Sequence, residues 1–285
     1  MKTLKNYIGE ASLLDIEGTL DSGDKAIIEK WIKDNFKVAG LKISDNPNKD
    51  GKYEVSARYV NVKNKNITSL TNGEFVWKEI KEDFDCSTCD NLISLKGAPE
   101  KVGDSFYCDY CKNLNSLKGA PKEVDGDFYC NDCKSLTSLE GAPKEVGECF
   151  YCDYCKNLTS LEGAPKKIGV DFDCGNCSSL KTLEGAPEKV GRDFECKYCH
   201  SLTSLNGAPK EVGGDFNCAY CKSLRSLEGA PKEVGSNFNC WDCYSLTSLE
   251  GAPVKIGGYF NCQNCGSLKS KDIPATTKLK GNILK

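Results

Sequence analysis

The sequence predicts a parallel β-solenoid, a rod of stacked coils closed at its start by a small α/β cap. Three observations lead there. C-x-x-C pairs begin at Cys86, Cys108, Cys130, Cys152, Cys174, Cys196, Cys218, Cys240 and Cys262, a step of 22 residues that uses all but one of the 19 cysteines. Gly-Ala-Pro recurs eight times in the same register, from Gly97 to Pro253. Nine of the eleven phenylalanines stand two residues before the first cysteine of a pair. A period of roughly 20–29 residues marks a solenoid, because one such unit cannot bury enough apolar surface alone and must share its core with neighbours.

In chain order, residues 1–20 read as an amphipathic leader, with Leu4, Tyr7, Ile8, Ala11 and Leu14 at helical spacing. Residues 21–59 read as the cap. Asp24 to Phe36 form a helix with Ile27, Ile28, Trp31 and Ile32 on one face. Leu41–Ser44 and Tyr53–Arg58 form a hairpin around the turn-rich Asp45–Gly51 segment. Residues 60–83 are a degenerate entry coil, in which a 22-residue step back puts Val62 in place of Phe, Asn64 and Ile67 in place of the cysteines, and Leu70 and Ile80 at the first leucine and closing valine.

Residues 84–268 hold the nine repeats. Phe84 and Cys86, two apart, share the inner face of a short strand, while Asp83, Asp85 and Ser87 face away. The chain turns inward again at Cys89, Leu92 and Leu95. Gly97 supplies a backbone angle other residues resist, Pro99 stiffens the return, and Val102 completes the ring. Equivalent strands then stack in parallel about 4.8 Å apart. Residues 269–285, with Ile273, Leu279, Ile283 and Leu284, close the last coil.

The run Val102-x-x-x-Phe106-x-Cys108-x-x-Cys111-x-x-Leu114 is similar to the strand-and-turn core of leucine-rich repeats. Over roughly residues 60–285 the chain resembles more closely the Cys-rich, "SLEGAP"-bearing variants carried by tailed bacteriophages, notably those of gut bacteria. The resemblance implies a leucine-rich-repeat-like parallel β-solenoid. One extra residue after the second cysteine, and Gly-Ala-Pro in place of a long convex helix, argue against a pronounced horseshoe curve. The opening residues also resemble leaders that direct internal head proteins of tailed phages into the prohead. These are cut after Ile/Leu-x-Glu, which Ile8, Gly9 and Glu10 match ahead of the small Ala11.

A net charge of -3 and a pI near 5.5 exclude nucleic acid as the main partner. No window reaches the roughly 20 apolar residues of a membrane span, and no secretory signal opens the chain. No nucleophile triad, phosphate loop or paired-acid motif stands out, so an enzyme is not expected. The expectation is a monomeric interaction module in the cytoplasm of a bacterial host, or a structural component of the virion head. Its strand face would meet a protein partner through Tyr107, Tyr129, Tyr151 and Trp241 with Asp127, Asp171, Asp193 and Asp215. The other reading of those columns is a solvated strand face of ordinary composition.

The cysteines allow three roles: core filler, disulfide, or ligand. Cys86, Cys89, Cys108 and Cys111, from adjacent coils, have the spacing of a zinc or iron site and would make the chain a metal-thiolate protein. The repeat alone already produces that spacing. Tetrahedral zinc also wants sulfurs closer than stacked strands place them, and protonated thiols avoid burying thiolate charge, so no metal is expected. Cys149, in the outward acidic column, is expected to be the one exposed thiol.

Overall fold

The computed structural model describes residues 23–62, 65–268 and 274–285. The expected leader with Ile8, Glu10 and Ala11 lies outside them, as do Asn64 and Ile273. The chain is a parallel β-solenoid of about ten coils, and each coil contributes two short strands rather than one, so that two sheets run the length of the rod. One ladder carries the Phe-x strands, from Phe84–Asp85 to Phe260–Asn261. The other carries the Lys/Glu-Val/Ile strands, from Lys101–Val102 to Lys255–Ile256. That second ladder gives the closing valine its backbone partners: Val146 pairs with Val124 on one side and Ile168 on the other.

Parallel in-register pairing puts each residue against its equivalent one coil away. Phe128 pairs with Phe106 and Phe150. The nine phenylalanines are fully buried and form one stack, with ring centroids 5.1–5.5 Å apart. Both cysteine columns and both leucine columns line the same core at 0–3% exposure, except Leu268 at the end of the rod, which is half-buried. Gly141 sits at φ 97°, and a Cβ there would lie 2.4 Å from the Lys118 amide nitrogen of the coil before, so both backbone angle and close approach demand glycine.

The cap is built from α1 (Gly23–Asn35), β1 (Phe36–Ala39), β2 (Lys42–Ile43), β3 (Tyr53–Ala57), β4 (Tyr59–Val62) and β5 (Phe75–Ile80). The expected hairpin is the antiparallel pair β2–β3, with Ile43 opposite Val55. The helix ends one residue short of Phe36, which begins β1 and pairs antiparallel with β4, Phe36 opposite Val62. Ile28 and Ile32 bury the helix against this layer. Phe36 and Trp77 then cover the phenylalanine stack obliquely: Trp77 meets Phe84 at 75°, whereas Phe84 and Phe106 are 5° from parallel.

The entry-coil register needs correction. Val60, not Val62, pairs with Phe84, a step of 24 residues, whereas Ile80 keeps the 22-residue step to Val102. Val62 is buried two positions on. At the other end Ile283 pairs with Phe260 and Leu279 with Ile256, the closing half-coil expected there.

Phe172, mid-stack, touches a phenylalanine on each side. Phe172→Ala should cost about 3–5 kcal/mol through the cavity it leaves. Denaturant unfolding measures this, and an unchanged midpoint would contradict the register.

Candidate interaction face

The outward residues of the Phe-x ladder form columns along the rod. Tyr107, Tyr129 and Tyr151 stack, with centroids 4.7 and 4.8 Å apart and planes 6° and 16° from parallel. They are half-buried because each ring covers its neighbour. The Tyr129 hydroxyl donates to Asp127 Oδ2 at 2.8 Å. Burial and that carboxylate together hold its phenol well above the usual range.

The acidic column serves the backbone first. Asp127 Oδ1 accepts the Cys149 amide at 2.8 Å, Asp171 that of Asp193 at 2.9 Å, Asp193 that of Asp215 at 2.8 Å, and Asp215 that of Asn237 at 2.8 Å. Each of these four acids, read from the sequence as partner-facing, thus spends one oxygen capping the next coil, where an outward amide has no strand partner. Cys149 corrects an expectation: it is 8% exposed, not free on the surface. Its short side chain lies below the Tyr151 hydroxyl and against the Asp171 amide, and burial raises its pKa.

A second rule was not legible as a motif. Where the column beside the phenylalanines holds Asp or Asn, that side chain accepts the amide two residues on: Asp85 from Ser87 at 2.8 Å, Asp173 from Gly175 at 2.7 Å, Asn239 from Trp241 at 3.0 Å. Tyrosine cannot. In the tyrosine coils the residue after the first cysteine takes over across coils: Asp109 accepts the Asn131 amide at 2.8 Å and Asn131 that of Asp153 at 3.0 Å. The tyrosines therefore come with Asp109, Asn131 and Asp153. Burial lifts the carboxyls of Asp109 and Asp153 to about 6.

The residue before each second cysteine turns the corner with positive φ, 52–61°, at nine positions, four of them tyrosines. Tyr110 and Tyr154 consequently stand 54% and 48% exposed. Tyr198 and Tyr220 stack at 4.3 Å, and Trp241 meets Tyr220 at 4.9 Å and 66°. This gives the face a second aromatic group. His200 is exposed, its Nδ1 3.0 Å from the Tyr220 carbonyl.

All 19 cysteines are free thiols. The first of a pair donates forward, as Cys108 Sγ does to the Tyr129 carbonyl at 3.1 Å. The second donates back, as Cys111 Sγ does to the Cys86 carbonyl at 3.3 Å and Cys133 Sγ to that of Cys108 at 3.2 Å. Both roles need a protonated thiol. Burial supplies it, pushing Cys86 and Cys108 well above the ordinary range and Cys89 up to about 11. Among the described residues, no three His, Cys, Asp or Glu side chains converge as a metal would require, and Cys86, Cys89, Cys108 and Cys111 are no exception.

No protein-family model matches the chain, and neither a curated protein nor a solved structure matches it.

In the native protein a thiol probe should titrate none of the cysteines promptly, Cys149 included, and all of them after denaturation; a single fast thiol would contradict the burial. Asp109 and Asp153 carry a pH dependence. Their folded values lie above the ordinary 3.8, so the folded chain holds more protons than the unfolded one between pH 4 and 6. Stability therefore falls as pH rises through that window. Asp109→Asn and Asp153→Asn should raise the melting midpoint at neutral pH and leave it unchanged near pH 4, which thermal unfolding across pH checks.

Proposed function

We propose that this chain is a non-enzymatic protein-interaction module of phage origin, acting in a bacterial host cell, which meets a protein partner with the outward face of its Phe-x ladder. The observation that carries this reading is the Tyr107–Tyr129–Tyr151 stack. Three aromatic side chains, held in one orientation by their own stacking and by a hydroxyl bond to Asp127, offer contact area at little entropic cost. Trp241 extends the aromatic surface further along the rod. Asp127, Asp171, Asp193 and Asp215 are held in place rather than mobile; Arg192 already pairs with Asp171 and Asp193, which leaves Asp127 and Asp215 as the charges that favour a partner with a basic rim. The phage assignment rests on the resemblance of the repeat.

Capture of a partner from host lysate tests the reading, with the wild-type chain beside a Tyr107→Ala/Tyr129→Ala/Tyr151→Ala variant. The partner should be lost with the triple variant while circular dichroism is unchanged. Lys167→Gln, exposed on the Lys/Glu-Val/Ile ladder away from this face, should retain it. Retention by the triple variant would reject the face.

A further inference from the structure

The corner at Asp242 departs from its equivalents. Asp242 is 8% exposed, and its Oδ1 is buried with no hydrogen-bond partner. A carboxylate oxygen in that condition is costly, because its lost hydration is replaced by nothing. In the coil of Asp132, which has the same corner acid, Lys134 two residues on places its ammonium 3.4 Å from the carboxylate. Lysine recurs at that position as Lys112, Lys156 and Lys222, but the coil of Asp242 has Tyr244 there instead. The corner has lost its built-in cation and gained a ring. Among the described residues no ammonium or guanidinium group pairs with Asp242.

The surroundings are aromatic. Trp241 stands at 66° to Tyr220, and Tyr198 stacks behind Tyr220 at 4.3 Å. The Tyr244 hydroxyl reaches the same carboxylate, and its ring is 48% exposed. Rings set at an angle beside an unneutralised carboxylate match what an alkylated ammonium requires. Such a cation is attracted to ring faces, sheds water readily, and needs one balancing charge.

We propose that the Asp242 corner binds an alkylammonium cation supplied from outside the chain, enclosed by Tyr220, Trp241 and Tyr244 with Asp242 as counter-charge. Tyr244 moves aside to admit it. The cation can arrive on a small molecule or on a methylated lysine of a protein. Only the second source rests on the reading of this face as a protein-binding surface; binding of the free ion tests the corner by itself.

Titration with tetramethylammonium chloride, followed by NMR at the tryptophan indole N–H groups, is the test. The three tryptophans give three signals, of which Trp241→Phe identifies one. A saturable shift of the Trp241 signal is expected, absent with sodium chloride. Asp242→Asn should weaken it at least about tenfold. Asparagine already occupies this corner at Asn176 and Asn264, so the variant should fold, with a melting midpoint equal to or above that of the wild type. A trimethyllysine peptide that binds much more tightly than the free ion assigns the cation to a protein, and equal affinity assigns it to a small molecule. The proposal is overturned if no saturation occurs below about 100 mM, if sodium chloride produces the same shift, or if Asp242→Asn binds as well as the wild type.

Discussion

In-register parallel pairing governs everything else in this protein. Once a coil lies on the next with every residue above its equivalent, a residue's nearest neighbour is a copy of itself. Types that stack favourably on themselves are therefore selected at every column. Phenylalanine does so through parallel rings, and cysteine through alternating S–H donors and carbonyl acceptors. Aspartate does so only because its oxygen caps the next amide, as Asp193 does for Asp215. The charged ladder shows the constraint from its unfavourable side. Glu123 stands against Glu145, and Lys167 against Lys189. Opposite pairs such as Lys167 with Glu145 at 2.8 Å and Lys255 with Glu233 at 2.8 Å are interspersed. All of these are solvent-exposed, where such contacts count for about 0–1 kcal/mol either way.

The choice of cysteine follows from the same geometry. The corner carbonyls at Cys86, Cys108 and their equivalents point into a dry core, and each needs a donor small enough to fit beside a leucine column. A thiol supplies a weak donor at low desolvation cost and packs as an apolar side chain. Serine would give a stronger bond and a larger penalty, and valine would leave the carbonyl bare. The C-x-x-C spacing thus records a corner in which two successive inward residues each satisfy a carbonyl of a different coil.

Most of the fold was legible because the period repeats. Phe, Cys, Leu and Val announce an inward set as soon as the 22-residue register is seen, and those columns are buried apart from the half-buried Leu268 at the end. Legibility failed where the register is interrupted or where backbone needs decide a side chain's role. Val62 looked like the phenylalanine equivalent because a fixed step was carried into the entry coil, whose first strand stands 24 residues before its equivalent. Cys149 looked exposed because its column is acidic, but those acids are drawn down onto amides and a shorter residue in their row is covered. The second ladder was hidden in two-residue strands too short to show alternation. The corner tyrosines gave no signal of left-handed backbone, since propensity assigns that conformation to glycine and asparagine. At the candidate face, the tyrosines and Trp241 could be named from composition, whereas the difference between a capping carboxylate and an uncapped one, Asp193 against Asp242, exists only in three dimensions.

The coil count also acts as a ruler. Tyr151 and Tyr198 belong to repeats two steps apart, with the Cys174 repeat between them, so the two aromatic groups on the face are separated by about 10 Å along the rod. Because each unit is interchangeable in register, duplicating or deleting one 22-residue segment between them would leave both groups intact and move them by one strand spacing. Distance between contact points is thereby quantised in the gene, a property that lets a repeat array be fitted to a new partner by recombination alone, without altering a single residue that touches it.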